Sequence, residues 1–365
     1  MLNLLIYKIQ KLMKLLTLIL LLCTCSLVNA QQNNSLLSGE LNGSPYTIAL
    51  PSDWNSGNLF FHVHGWRPSD APHEADLDVD DPFYRYLLQN GWAIARTAFR
   101  ENGVDHEAHT HAIAELKAWI HTEISPVQRV VLEGESTAAT LVLRIAERNP
   151  ELADGVIAKG AFINLQDSDA DSYLHATPSI PAILMSNLTE LDGPISYAAA
   201  SEGAPVRPAL RPLLHPGHVN VNWMERRDAF ISVSEWMHGD RPEMITNGTR
   251  TLPARETGTL RKGAGIRNRV IRINPFFGNA YLGYHPDELT EWGLQQGDYF
   301  LIETHGELRR VYFGESYGDV PLGDWVAFPT ASDTILLARN HQSAAESAAL
   351  SLGDDITLFL LKNDK

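Results

Sequence analysis

The chain has 365 residues and an acidic composition, with 29 Lys and Arg against 44 Asp and Glu and a formal net charge of −15. Nucleic-acid binding requires Lys and Arg clustered against the phosphates, so this balance argues against a nucleic-acid partner. The length exceeds that of a usual single domain, and two domains are therefore expected.

The first segment, residues 1–30, is predicted to be a secretory signal peptide. It carries three lysines and no acid, then the apolar run 15–22, and it ends in a small-x-small pattern at Ala30. These features are typical of a signal, and the run is shorter than the roughly 20 residues of a membrane span. We expect cleavage near Ala30 and a secreted or periplasmic protein. Lipidation at Cys25 is the less favoured alternative, because the residues before it fit a lipidation signal poorly.

An apolar strand is predicted at residues 59–63, followed by the sequence His-Gly-Trp. A glycine in such a loop lets a backbone N–H face a developing oxyanion. We expect the N–H of Trp66, together with that of Thr137 further along the chain, to form an oxyanion hole.

Residues 105–111 are rich in Asp, Glu and His, which is the composition of a metal site. Their spacing matches no zinc site, and they open an amphipathic helix, where the dipole favours acids in the first turn. The acidic loops 76–80 and 167–171 lack the glycine and the closing glutamate of a calcium loop. We therefore predict that the cluster 105–111 caps the helix and that neither it nor the acidic loops hold a metal.

Ser136 follows a predicted strand at residues 130–133 and precedes a helical pattern that begins near residue 139. Gly134 lies two positions before it and Ala138 two positions after it. A nucleophile elbow has this arrangement, because the serine occupies a strained strand-to-helix turn that only small neighbours allow. We predict that Ser136 is a nucleophile, with alanine replacing the usual second glycine.

A serine nucleophile needs an acid and a histidine, which follow it in that order in α/β-hydrolases. Glu190 comes after the next apolar strand, residues 181–185, and is the favoured acid. Asp192 is the alternative acid, and the loop 167–171 is a more distant one.

His218 lies in a Gly-His-x-Asn turn just before a helical segment at residues 222–237. Its place in chain order and its turn favour it as the general base, and His215 is the nearest competitor.

Fewer than 20 residues separate the strand that ends near Phe162 from the one that begins near Pro181. This is too little chain for the large helical lid that lipases insert there. We expect an open cleft, suited to short acyl chains or to a bulky polymeric or aromatic ester.

Residues 243–268 are rich in Arg, Thr and Gly without periodicity and are predicted to be a linker. Beyond them, residues 269–365 contain short β-type runs that alternate with turns, which is typical of a small all-β barrel. Helices are expected there only near residues 286–292 and 343–349.

The stretch 38–242 resembles a secreted α/β-hydrolase of the esterase type. The resemblance rests on the Pro-x-x-Trp-Asn segment at 51–55, on the strand and loop at 91–103, and on the histidine loop and helix at 217–236, in addition to the elbow. It implies a catalytic domain over residues 31–242.

Residues 269–365 resemble the C-terminal barrel of S-adenosylmethionine hydroxide adenosyltransferases and the related halogenases, through residues 277–279 and segments spread over 317–354. The resemblance implies adenine contacts at positions matching Asn279 and the segment 332–345. The aspartate-led N-terminal domain of that family has no counterpart here. The barrel is therefore interpreted as a borrowed module that modulates the hydrolase.

Together these patterns predict an α/β-hydrolase fold with a second, smaller all-β barrel domain. The favoured function is a secreted serine esterase, a carboxylic ester hydrolase that uses Ser136, Glu190 and His218 through an acyl-enzyme. The alternatives are a peptidase or amidase with the same triad, and a ligand-binding protein whose barrel binds an adenosine-like ligand. We expect a small or polymeric ester substrate, no cofactor and no membrane span, and leave the oligomeric state open.

Overall fold

The computed structural model describes residues 34–243, 259–262 and 264–361. The predicted signal peptide, residues 1–30, with its alternative lipidation site at Cys25, lies outside the described residues, as does most of the predicted linker. Within the described part of the chain, no helix is long and apolar enough to cross a membrane.

One sheet organises the N-terminal unit, and its strands are β1 (Ser35–Leu41), β2 (Ser44–Leu50), β3 (Asn58–Val63), β4 (Ala93–Thr97), β5 (Arg129–Glu135), β6 (Gly155–Lys159), β7 (Ala182–Asn187) and β8 (Ala209–Leu213). Their order in space is β1-β2-β4-β3-β5-β6-β7-β8. The pairs β1–β2 and β2–β4 are antiparallel, and all later pairs are parallel. The loops that follow β3, β5, β7 and β8 therefore meet at one edge of the sheet, where ligands bind in open α/β sheets.

Helices cover both faces of this sheet, namely α1 (Pro82–Gln89), α2 (His106–Glu123), α3 (Thr137–Arg148), α4 (Asp192–Ala200) and α5 (Trp223–Trp236). One apolar core packs α2, α3 and α4 against one face, and a second core packs α1 and α5 against the other. The central strands are buried along nearly their whole length, as expected of parallel strands covered on both sides.

The second sheet is formed by β9 (Leu260–Lys262), β10 (Gly265–Ile273), β11 (Ala280–Leu282), β12 (Tyr299–Thr304), β13 (Glu307–Phe313), β14 (Trp325–Pro329), β15 (Ile335–Arg339) and β16 (Asp355–Leu360). Pairing of β10 with β11 closes all of these strands except β9 into a barrel around its own apolar core. Two short helices, α6 (Pro286–Trp292) and α7 (Ala344–Ser347), lie where the sequence predicts helices.

The barrel sheet starts earlier than the sequence predicts, because β9 and the first half of β10 fall inside the predicted linker, residues 243–268. Ile266 is buried in the barrel core. A Cβ at Gly265 would lie 2.6 Å from the carbonyl oxygen of Leu358, so the close approach of β16 requires the glycine there. The sequence predicts β10 only from Arg269 onward, because the segment 265–268 contains a single apolar side chain, Ile266, among a glycine and polar residues.

The fold class that the sequence predicts is confirmed. A mostly parallel sheet with helices on both faces carries a strand-turn-helix elbow at Ser136, and a closed all-β barrel follows it. The first unit has an α/β-hydrolase fold, and its predicted catalytic residues all lie in loops at the carboxyl edge of the sheet.

Candidate active site

Ser136 occupies a strained turn between β5 and α3. Its backbone angles, φ 56° and ψ −122°, lie in a region that residues other than glycine rarely adopt. A Cβ at Gly134 would lie 2.1 Å from the carbonyl oxygen of Ala138, so a larger residue at position 134 cannot be accommodated. The small residues of the motif thus allow the sharp turn that holds the serine hydroxyl at the edge of the sheet.

His218 joins Ser136 and Glu190 in one hydrogen-bonded chain. The Nε2 atom of His218 lies 2.8 Å from Ser136 Oγ, and its Nδ1 atom lies 2.5 Å from Glu190 Oε1. The side chains of His218 and Glu190 are 26% and 29% exposed, so the relay is open to a substrate from solution. A ring held in this way can accept the serine proton on one nitrogen while the other donates to the carboxylate.

The other candidate acids and the other candidate base lie elsewhere. Asp192 begins α4. In the loop 167–171, Asp171 accepts from the backbone N–H of His106. His215 is buried and donates through Nε2 to Glu225 Oε1 at 2.9 Å, beside the first turn of α5.

Two polar residues at the end of β7 tie the acid loop to the histidine loop, and sequence reasoning did not identify them. Asn187 accepts from the N–H of Asn220 at 3.0 Å and donates to its carbonyl oxygen at 2.9 Å. Thr189 Oγ1 exchanges hydrogen bonds with the N–H and carbonyl oxygen of Gly217, at 3.2 and 3.0 Å. The polar run that follows an apolar strand is their only sequence signal. These contacts fix the separation between Glu190 and the loop that carries His218.

The predicted oxyanion donors flank the serine. A Cβ at Gly65 would lie 3.0 Å from Ser136 Cβ and 2.8 Å from the carbonyl oxygen of Glu135, so the loop after β3 packs directly on the elbow. Trp66 is the next residue of that loop. Thr137 is the first residue of α3, where backbone N–H groups lack intrahelical acceptors and the helix dipole favours negative charge. Both predicted donors thus border Ser136, Trp66 in the loop after β3 and Thr137 in the first turn of α3.

His64 holds the loop after β3 from within. It is buried and donates from Nδ1 to the carbonyl oxygen of Gly65 at 2.8 Å. Burial, reinforced by the charge of Arg67, lowers the pKa of His64 well below its usual value. The imidazole is therefore neutral at physiological pH and acts as a donor that fixes the glycine turn.

A buried ion network lies beneath the elbow. Glu133, fully buried on β5, accepts from Nε and Nη2 of Arg226 at 3.1 and 2.6 Å, and Lys159 Nζ lies 3.2 Å away. Burial alone would raise the pKa of Glu133, but Arg226 and Lys159 lower it to about 2. The paired charges join β5, which leads into the elbow, to β6 and to α5, the helix that follows the histidine loop. An isolated glutamate in a strand gave no signal of this role in the sequence.

Two further predicted positions have structural contacts. Asp105 caps α2, as predicted, by accepting from the N–H of Ala108 at 2.8 Å. Asn279, predicted to contact adenine, is buried and donates from Nδ2 to the hydroxyl oxygen of Tyr317 at 3.0 Å.

One comparison with known protein families gives a match, and it falls in the second unit. Residues 269–357 match the family model described as the SAM hydroxide adenosyltransferase C-terminal domain, which confirms the predicted resemblance of the barrel. No curated protein matches the chain in sequence.

Similar solved structures have low sequence identity to this chain. An uncharacterised conserved protein from Thermotoga maritima is 16% identical with a TM-score of 0.27; the match covers 35% of this chain and 48% of that one, so the chain spans about half of its length. An esterase of Pyrococcus furiosus is 14% identical over 57% of this chain and 87% of its own, with a TM-score of 0.38. An arylesterase is 13% identical over 57% and 84%, with a TM-score of 0.42.

Proposed function

We propose that this protein is a serine hydrolase that cleaves carboxylic esters through an acyl-enzyme. The observation that carries the proposal is the chain of hydrogen bonds from Ser136 through His218 to Glu190, set on an elbow. A serine, a histidine and a carboxylate in this order and geometry form the arrangement that activates a hydroxyl for acyl transfer.

In the proposed reaction, Ser136 Oγ attacks the ester carbonyl carbon while His218 Nε2 takes the hydroxyl proton. The carbonyl oxygen becomes an oxyanion that accepts from the N–H groups of Trp66 and Thr137. The imidazolium, held by Glu190, gives its proton to the leaving alkoxide, and the alcohol departs from the acyl-enzyme. Water then attacks the acyl carbon, His218 accepts its proton, and return of that proton to Ser136 Oγ releases the carboxylic acid.

The surroundings of the relay favour an accessible ester with an apolar part. The segment 160–181, where lipases insert a lid, contains no helix. Phe162 is 55% exposed, and its ring centroid lies 5.3 Å from that of His218. Trp66, in the loop after β3, is also exposed. We infer that short acyl chains, or bulky aromatic or polymeric esters, are better substrates than long lipid chains.

Fluorophosphonate labelling followed by kinetics on a chain-length series of p-nitrophenyl esters tests this function. Ser136→Ala should abolish labelling, and His218→Ala should lower kcat by several orders of magnitude with KM little changed. Ser196→Ala is the matched control, because Ser196 is an exposed serine that donates to Asp192 O. Labelling that persists in Ser136→Ala would contradict the mechanism. A matched series of p-nitroanilides then separates ester hydrolysis from amide hydrolysis.

Export belongs to the same proposal. We expect the mature protein to begin near Gln31 and to accumulate outside the cytoplasm, because residues 1–30 have the composition of a signal peptide. N-terminal sequencing of the exported protein tests this, and an intact N-terminus in the cytoplasmic fraction would contradict it.

A further inference from the structure

The loop that follows β3 contacts the barrel through two consecutive residues. The guanidinium carbon of Arg67 lies 3.3 Å from the ring centroid of Phe276. The ring of Trp66 stacks on that of Phe277, with centroids 6.3 Å apart and planes inclined by 29°. Barrel side chains therefore rest on the loop whose backbone would supply one oxyanion donor.

Arg67 is the fixed point of this loop. It is only 2% exposed, and its guanidinium donates to the carbonyl oxygen of Glu74 at 2.8 Å and to Asp76 Oδ1 at 2.7 Å. Burial, with the nearby charge of Arg96, lowers the pKa of Arg67 to about 10, so it remains a cation at neutral pH. The face of Phe276 covers this buried cation, a geometry in which the ring quadrupole attracts the positive charge.

The histidine loop contacts the barrel at a second place. Asn220, two residues after His218, accepts through Oδ1 from the backbone N–H of Ala331. Its Nδ2 donates to the carbonyl oxygen of Pro329 at 3.3 Å and, within its own loop, to that of Pro216 at 2.8 Å. One side chain thus joins the loop of the base to the turn between β14 and β15.

Both barrel segments are held by their own hydrogen bonds. Asn274 Oδ1 accepts from the N–H groups of Phe276 and Phe277 at 2.9 and 3.0 Å. The turn between β14 and β15 is closed by the N–H of Thr330 donating to the carbonyl oxygen of Thr334 at 2.8 Å. The barrel therefore presents fixed surfaces to the two loops, and it can restrict their positions.

We propose that the barrel is part of the catalytic apparatus, because Phe276 positions the oxyanion loop through Arg67 and the Pro329–Ala331 turn positions the base loop through Asn220. This inference rests on the proposed serine hydrolase function. Phe276 and Asn220 are positioning residues, since they act through the backbone of Trp66 and of His218.

The decisive variant is Phe276→Ala in the full chain, measured with a short p-nitrophenyl ester. We expect kcat to fall by about 10- to 100-fold, because a displaced donor loses less than an absent one and a misplacement of about 1 Å costs up to about 100-fold. KM should change less than about twofold, because the ring packs on Arg67 and acts through the position of the loop backbone. Unchanged kcat in a folded Phe276→Ala protein would overturn the inference.

Two further variants separate positioning from general stability. Phe276→Tyr keeps the ring over Arg67 and should retain most of kcat, whereas Phe276→Leu keeps apolar bulk but loses the ring and should behave like the alanine variant. Tyr299→Ala is the matched control, because it removes the stacking of Arg310 on Tyr299 within the barrel, at 3.6 Å. Loss of kcat in this control equal to that in Phe276→Ala would assign the effect to barrel stability and refute positioning.

Two variants of Asn220 test the contact between the histidine loop and the barrel. Asn220→Ala loses the contacts with the barrel and with Pro216, whereas Asn220→Asp keeps an acceptor for the Ala331 N–H. We expect the aspartate variant to retain more kcat than the alanine variant. Equal losses would place the role of Asn220 within its own loop and refute the barrel contribution there.

Fluorophosphonate titration of the wild-type protein keeps the two hypotheses distinct. If wild-type Ser136 is not labelled, the proposed hydrolase function fails. If it is labelled and Phe276→Ala turns over esters at the wild-type rate, the function stands and only the role of the barrel fails.

Discussion

At the scale of single residues, the choice of acid depends on one hydrogen bond. Glu190 Oε1 lies 2.5 Å from His218 Nδ1, whereas Asp192 begins α4. Glu190→Gln keeps the size of the side chain but removes the charge that stabilises the imidazolium, and we expect kcat to fall by about 100- to 10,000-fold. Steady-state kinetics on a short ester check this.

Asp192→Asn is the matched control for that experiment, because it makes the same chemical change two residues away. It should leave kcat within about twofold of the wild type, as is usual for surface substitutions away from such contacts. The reverse ranking of the two variants would transfer the role of the acid to Asp192.

The sequence predicts the residues of the relay because each has a strong local signal. Ser136 lies between two small residues, Glu190 follows an apolar strand, and His218 lies in a glycine turn before a helix. Asn187 and Arg226 could not be identified in this way, since their roles come from partners far away in the chain, at Asn220 and Glu133. Local pattern therefore predicts which of these residues lie together, and tertiary packing decides what holds them.

At the scale of an element, β3 and β5 carry ionisable side chains into the interior. His62 on β3 is hydrogen-bonded to the hydroxyl of Tyr84, and burial, with Arg96 nearby, lowers its pKa from 6.5 to about 4. Between pH 4 and pH 6.5, His62 therefore binds a proton in the unfolded chain but not in the folded protein. The folded state thus gains stability from this group above pH 6.5 and loses it as the pH falls towards 4. We expect His62 alone to lower the free energy of unfolding by about 2 kcal/mol from pH 7 to pH 5.

Urea unfolding at the two pH values checks this prediction. His62→Gln is less stable overall because it loses the ring, but its side chain does not titrate, so its stability should depend less on pH. His238→Gln, at an exposed histidine, should keep the wild-type pH dependence. If His62→Gln also keeps it, His62 is not the group responsible.

The elements themselves were predictable to different degrees. The apolar runs of β3, β5 and β7 identify these strands, since buried parallel strands are continuously hydrophobic. The start of β10 was not predictable, because one of its two partner strands, β16, lies some ninety positions later in the chain.

At the scale of the whole molecule, the sequence predicts two units but not how they meet. The contact of Phe276 with Arg67 and that of Ala331 with Asn220 join residues more than a hundred positions apart, and no periodicity or motif encodes them. The position of these contacts matters. Arg67 follows Trp66, the proposed oxyanion donor, and Asn220 lies two residues after His218, the proposed base. The barrel, interpreted from the sequence as a module that modulates the hydrolase, therefore borders the loops that carry the proposed oxyanion donor and the proposed base.

This arrangement also bears on whether the barrel binds adenosylmethionine. The side-chain amide of Asn279 is already donating to Tyr317 and is buried, and the neighbouring Phe276 and Ala331 are occupied by contacts with the hydrolase unit. A purine would have to displace these contacts, so we expect no saturable heat when adenosylmethionine is titrated calorimetrically into the full chain at micromolar concentration, and no hydrolysis of it. Ester hydrolysis by the same preparation is the control for folded protein. A saturable signal that Asn279→Ala abolishes would contradict this expectation. It would show that the barrel binds an adenosine-like ligand next to Asn279.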